Sequence, residues 1–102
     1  MHSLELDLDG YIECALLDAR ILGARKDLVV GRRGGNDGLR VRDEPEHLAS
    51  SLTELLLDAV RHSPVRGIVT LDVLPYGTEV VITVYDQRPP AGRDRSLRYP
   101  KA

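Results

Sequence analysis

Asp43-Glu44-Pro45-Glu46-His47-Leu48-Ala49-Ser50-Ser51-Leu52-Thr53-Glu54-Leu55-Leu56-Leu57-Asp58-Ala59-Val60-Arg61-His62-Ser63-Pro64 is the stretch whose reading decides the fold. Leu48, Leu52, Leu55, Leu56 and Ala59 recur at three- and four-residue spacing, so they form one apolar side of a helix. Asp43 stands where a helix cap is expected, Pro45 falls in the first turn, and Glu46 supplies the carboxylate of a capping box. At the other end Ser63 precedes Pro64, which pushes it out of the helical region and stops the helix.

After this helix, 68–74 and 79–86 read as two strands joined by Pro75-Tyr76-Gly77-Thr78, a hairpin turn. Val69, Leu71 and Val73 share one face of the first strand, and Val80, Ile82 and Val84 share one face of the second. Before it, Ile12, Ala15, Leu16, Ala19 and Leu22 give an apolar stripe on a first helix over 9–22, with Asp9 as cap and Gly23 as stop. Short strands are expected over 26–30 and 39–42. Four glycines within 31–38 make that stretch a loop. Beyond Gln87 no periodicity remains, so a loop or extended tail is expected. Both helical stripes are buried at once if the helices lie together on one face of a sheet. The expected fold is therefore α/β: a two-layer sandwich, a mostly antiparallel sheet of about four strands with two helices on one face. Residues 1–90 form its domain and 91–102 a basic tail.

The chain has 102 residues, enough for one domain with one modest core. Its one cysteine, Cys14, cannot form an internal disulfide, and a buried place beside the first helix's stripe is expected for it. No apolar run reaches ~20 residues, so no membrane span is expected. The acidic N-terminus lacks the basic and apolar regions of a signal peptide, and a cytoplasmic location is expected. A net charge of −2 argues against a nucleic-acid binder. Charge is uneven, however. Residues 1–18 carry Glu5, Asp7, Asp9, Glu13 and Asp18 without a cation, whereas 87–102 carry Arg88, Arg93, Arg95, Arg98 and Lys101 against Asp94 alone. The tail either docks on an acidic partner, folds back on the acidic N-terminus, or is a solvated end.

Chemistry concentrates on the second helix. Glu54 and Asp58 stand four residues apart, hence one turn apart on one face. Two carboxylates there repel each other, and a metal ion or other cation would relieve them. Arg61 and His62 follow within a turn, so a cation site adjoins anion-binding groups, a combination suited to a magnesium–phosphate ligand. The bland alternative is a solvent-facing polar stripe. His2, His47 and His62 with Cys14 have no zinc spacing, and no Ser–His–Asp arrangement is argued from this order.

Residues from about 6 to 90 resemble the catalytic ATP-binding domain of sensor histidine kinases, a fold shared with gyrase B and anti-sigma-factor serine kinases. The resemblance rests on Asp43-Glu44-Pro45-Glu46-His47-Leu48 with 52–64, which look like the lead-in and N box, and on Val84-Tyr85-Asp86, which looks like the approach to the first glycine box. It implies that Asp58 takes the place of the family's magnesium-holding Asn and that Glu54 fills the general-base position of the gyrase and anti-sigma branches. It also implies that Arg61 and His62 lie near phosphates and that Asp86 bonds the adenine amino group. The implied cofactors are ATP and magnesium.

Departures from the pattern are equally specific. Asp86 is followed by Gln87-Arg88-Pro89-Pro90 where the family has glycines, and prolines stiffen a segment that should pass close to a nucleotide. Residues 91–102 contain one glycine and are too few for the family's lid and second glycine box. The leading expectation is a degenerate histidine-kinase-type domain with weak or no nucleotide binding. It would act as an interaction module for a signalling partner: a kinase, a response regulator or a sigma-factor system component. The second is a working ATP-dependent protein kinase or ATPase that uses Glu54 as base. The third is a structural α/β domain with no nucleotide role.

Overall fold

The structure, a computed structural model, describes residues 3–34, 36–87 and 93–102. The elements run β1 (Leu4–Asp7), α1 (Leu8–Gly23), β2 (Val29–Arg33), β3 (Arg40–Asp43), α2 (Pro45–His62), β4 (Ile68–Tyr76), β5 (Glu79–Asp86) and β6 (Arg93–Pro100), with a 3₁₀ turn at Ala24–Lys26. Four strands form the main sheet in the order β2-β4-β5-β6. β2 runs parallel to β4, with Val30 opposite Val69, and the other two pairings are antiparallel. β1 and β3 make a separate antiparallel ribbon, Leu6 opposite Val41. A bridge from Val41 to Lys101 ties that ribbon to the end of β6.

Period-two alternation decides which face is buried. Val30, Val69, Leu71, Val73, Val80, Ile82 and Val84 point to one face and are buried together with Leu8, Ile12, Leu16, Leu48, Leu52 and Leu56 from the helices. Both helices thus cover the same face of the main sheet, as the sequence implied. The opposite face carries Arg33, which bonds Asp72 at 3.2 Å and lies 5.0 Å from the Tyr85 ring centre, and a Thr83–Ser96 hydroxyl pair at 3.0 Å. The β4–β5 turn needs a left-handed residue, and Gly77, with φ +62°, supplies it.

Five local expectations are corrected. Residues 93–100 are not a loose basic arm: they form β6, paired along β5 from Glu79–Pro100 to Asp86–Arg93. The pattern failed because Arg95 shares a sheet face with Leu97 and Tyr99, and a cation at that position hides a half-buried strand. Arg88 and the two prolines lie outside the described residues. Asp7, not Asp9, caps α1, its carboxylate accepting the Asp9 N–H at 3.2 Å. Glu44, not Asp43, precedes the first turn of α2, without a side-chain cap. Lys26 belongs to the 3₁₀ turn rather than to β2. Cys14 is exposed on the outer side of α1.

Two of the acidic N-terminal residues pair with arginines of 32–40 rather than with the C-terminal cations. Glu5 meets Arg40 at 2.7 Å, and Asp9 meets Arg32 at 2.8 Å while accepting the Gly38 N–H at 2.7 Å. The Gly38 amide, with Arg32 beside it, holds the Asp9 carboxyl below its ordinary range.

Candidate functional site

α2 carries the site. Its apolar side is fixed in the core by Leu48, Leu52, Leu55 and Leu56, which turns Glu54 and Asp58 together toward β6. The Asp58 carboxylate accepts from Arg95 of β6 at 2.6 Å. Its other oxygen lies 3.3 Å from His62 Nδ1 and 3.9 Å from Arg61. With an 18% exposed side chain, Asp58 sits where a charge needs close partners, and three cationic or protonatable groups surround it. Glu54, one turn earlier, lines a groove of about 210 Å³ with Ser51, Leu55, Arg95 and Leu97.

Asp86 is buried at the end of β5, on the face that the helices cover, opposite Arg93 in the strand register. His62 Nδ1 also lies 2.9 Å from the Asp58 carbonyl, so its ring folds back along its own helix. Asp58, Arg61 and His62 are thus brought together, with Glu54 one turn away. The cation that meets them was not foreseen as part of the site. Arg95 reads as a tail residue by sequence; only the pairing of β6 with β5 carries it to α2. The signal open to a sequence reader was the alternation Arg93, Arg95, Leu97, Tyr99.

Two further polar constructions on α2 also escaped the sequence reading. The Asp43 carboxylate accepts from His47 Nδ1 at 2.7 Å and raises the imidazole above its ordinary value. Ser51 Oγ follows at 3.5 Å from His47 Nε2, beyond a good hydrogen bond, so these three residues line up by helical spacing without forming a relay. Lys26 places its ammonium against the end of the helix, donating to the carbonyls of Val60 at 3.0 Å, Arg61 at 2.9 Å and Ser63 at 3.0 Å. That is a cationic cap on the negative end of α2, beside the Val60 carbonyl that also accepts the Ser63 N–H at 3.3 Å.

The donor set tests the fit to magnesium. A magnesium ion takes oxygen ligands at ~2.0–2.1 Å in an octahedron, and a guanidinium bonded to the same carboxylate competes with it for charge and space. Asp58 is held in this way, and among the described residues no three His, Cys, Asp or Glu side chains form a metal donor group. As arranged, Asp58 offers a magnesium ion a carboxylate whose charge is already paired by Arg95.

Comparison with solved structures places the architecture. The catalytic domain of the histidine kinase ThkA superposes with a TM-score of 0.81 at 19% identity, over 88% of this chain and 61% of that one. The chain has the fold of a histidine-kinase catalytic domain. A histidine kinase from Burkholderia phymatum matches with a TM-score of 0.80 at 25% identity, over 88% of this chain and 42% of the other. A structure of ThkA in complex with the response regulator TrrA matches at 0.77 and 18% identity, covering 86% and 26%. The chain therefore spans 61% or less of the length of these matched chains. No protein-family model matches the chain, and no curated protein matches its sequence. Within the kinase fold, α2 with β4 and β5 is the part on which the sequence resemblance rested. No helix among the described residues is long and apolar enough to cross a membrane.

Proposed function

We propose that this chain is a histidine-kinase-type ATP-binding domain turned into a signalling interaction module, with weak or no magnesium–ATP binding. One observation carries the reading: the Arg95 guanidinium sits 2.6 Å from Asp58, at the carboxylate that would otherwise help hold the metal. An internal cation neutralises Asp58 without a diffusible ion, and moving it would remove the shortest charge-assisted bond of a largely buried carboxylate. Glu54 keeps the position of a general base. A base alone contributes ~10²–10⁴-fold, far below what phosphoryl transfer draws from metal and positioning. Asp86 keeps the adenine-reading position, so any residual nucleotide affinity is expected to vanish in Asp86→Ala. The partner is of the signalling class: a kinase, a response regulator or a sigma-factor system component. The ThkA–TrrA complex, a kinase of this fold bound to a response regulator, supports that class.

Calorimetric titration with magnesium–ATP tests the reading. The expected result is no saturable heat at micromolar nucleotide and no ATP turnover. Micromolar binding, with turnover that Glu54→Gln abolishes, would replace this reading with that of a working kinase or ATPase.

A further inference from the structure

Helix α1 is apolar on two opposite sides. Leu8, Ile12, Ala15, Leu16 and Ala19 face the core. At 100° per residue, Gly10, Cys14, Leu17 and Ile21 fall within about 60° of one another on the side away from the core. All four are exposed, Leu17 at 58% and Ile21 at 65%. A surface helix normally carries one apolar stripe, and the second stripe of this one is left uncovered.

The spacing of the outer stripe is specific. Residues 10, 14, 17 and 21 are separated by four, three and four, the alternation of a coiled-coil seam. Glu13 and Arg20 then stand at equivalent flanking positions of successive heptads, on the same edge of the seam. In an antiparallel pair, flanking positions of this type meet their own kind. Glu13 of one copy would therefore face Arg20 of the other, and a two-fold axis makes the pair twice. Arg20 is fixed on that flank by its Nε bond to the Val30 carbonyl at 2.9 Å.

Shape agrees with charge. The same antiparallel register sets Gly10 opposite Ile21 and Cys14 opposite Leu17. Gly10, Tyr11 and Cys14 border a hollow of about 290 Å³, and a Cβ built on Gly10 meets nothing within 4 Å. Small residues at one end of the stripe and large ones at the other make the surface self-complementary only when the second helix runs the opposite way.

We propose that the outer face of α1 is a homodimer interface, with a second copy of this chain packed antiparallel through Gly10, Cys14, Leu17 and Ile21. One helix pair is small beside a standard protein interface, so the dimer is expected to be weak, with micromolar dissociation. The inference is independent of any nucleotide role for α2.

Sedimentation equilibrium of the full chain over a range of concentrations tests it. The wild type is expected to move from monomer to dimer in the micromolar range. Leu17→Glu and Ile21→Glu should each raise the dissociation constant at least tenfold, with far-UV circular dichroism unchanged. Glu13→Arg should weaken the dimer, and Glu13→Arg combined with Arg20→Glu should restore it. A wild type that stays monomeric throughout, or a dimer that survives Leu17→Glu in folded protein, overturns the proposal. Failure of the double reversal to restore association overturns the antiparallel arrangement.

Discussion

The two helices lie side by side over one sheet face, yet they dispose of their outward surfaces in opposite ways. α2 is apolar on one side, and its polar side is engaged within the chain: Asp58 by Arg95, His47 by Asp43, and the last carbonyls by Lys26. α1 meets the core with one apolar stripe and exposes another, and its polar contacts, Asp9 with Arg32 and Arg20 with Val30, lie along the flanks. Charges that find partners inside the chain mark where this fold closes on itself. An apolar stripe without an internal partner marks where it is left open.

The comparison can be broken first at the core. Leu52 and Leu56 are fully buried on the inner side of α2, and either change to Ala is expected to cost ~2–5 kcal/mol in denaturant unfolding. Leu17→Ala on the outer side of α1 should change the stability of the dilute monomer by less than ~0.5 kcal/mol. Equal losses at the two positions would mean that α1 is covered on both sides within one chain.

Next is the cap of α2. Lys26→Met keeps much of the side-chain stem but removes three charge-assisted bonds to the last carbonyls. It should lower stability by ~1–3 kcal/mol, read as a shift in the urea midpoint. A smaller effect is expected from Gly10→Ala. The added methyl meets open space and the helix loses a flexible residue, so the monomer should gain up to ~1 kcal/mol.

The smallest effect is electrostatic. Asp43 favours the protonated form of His47, so the imidazole should titrate above its ordinary value of about 6.5 in an NMR pH series. Asp43→Asn should return it toward that value. Because the folded-state value is raised, the stabilisation is fully present below the unfolded value and is lost as pH rises through the folded one. Asp9 behaves in the opposite sense. Its value is lowered, so its contribution holds above the unfolded carboxylate value and disappears as pH falls through the folded one. Asp9→Asn should therefore flatten the acid limb of the stability curve.

Much of this architecture was legible in residue periodicity. The stripes of 12–19 and 48–59 gave both helices, and the alternation of 69–73 and 80–84 gave the central hairpin, since each follows from one buried face; Leu22, expected at the end of the first stripe, is exposed. β1 escaped because Leu4-Glu5-Leu6-Asp7 is four residues long and is defined by its pairing with β3 rather than by its own pattern. β6 escaped because Arg95 stands on its helix-facing side, and its charge is satisfied by Asp58 of α2 and not by anything nearby in sequence. For the same reason the sequence brought Glu54, Asp58, Arg61 and His62 together on one helix but left out Arg95. Helical spacing is local, whereas a contact 37 residues away depends on strand register.

The central claim is that a guanidinium from β6 holds the cation position of the α2 site. An NMR titration of wild-type protein and of Arg95→Ala with magnesium–ATP, following the Arg95 side-chain Nε–H and the backbone amides of 54–62, tests it most directly. In the wild type, the Arg95 resonance and the α2 amides should stay fixed up to millimolar nucleotide. In Arg95→Ala, magnesium-dependent shifts should appear around Asp58. Saturable, magnesium-dependent movement of the Arg95 and Asp58 resonances in the wild type would contradict the account.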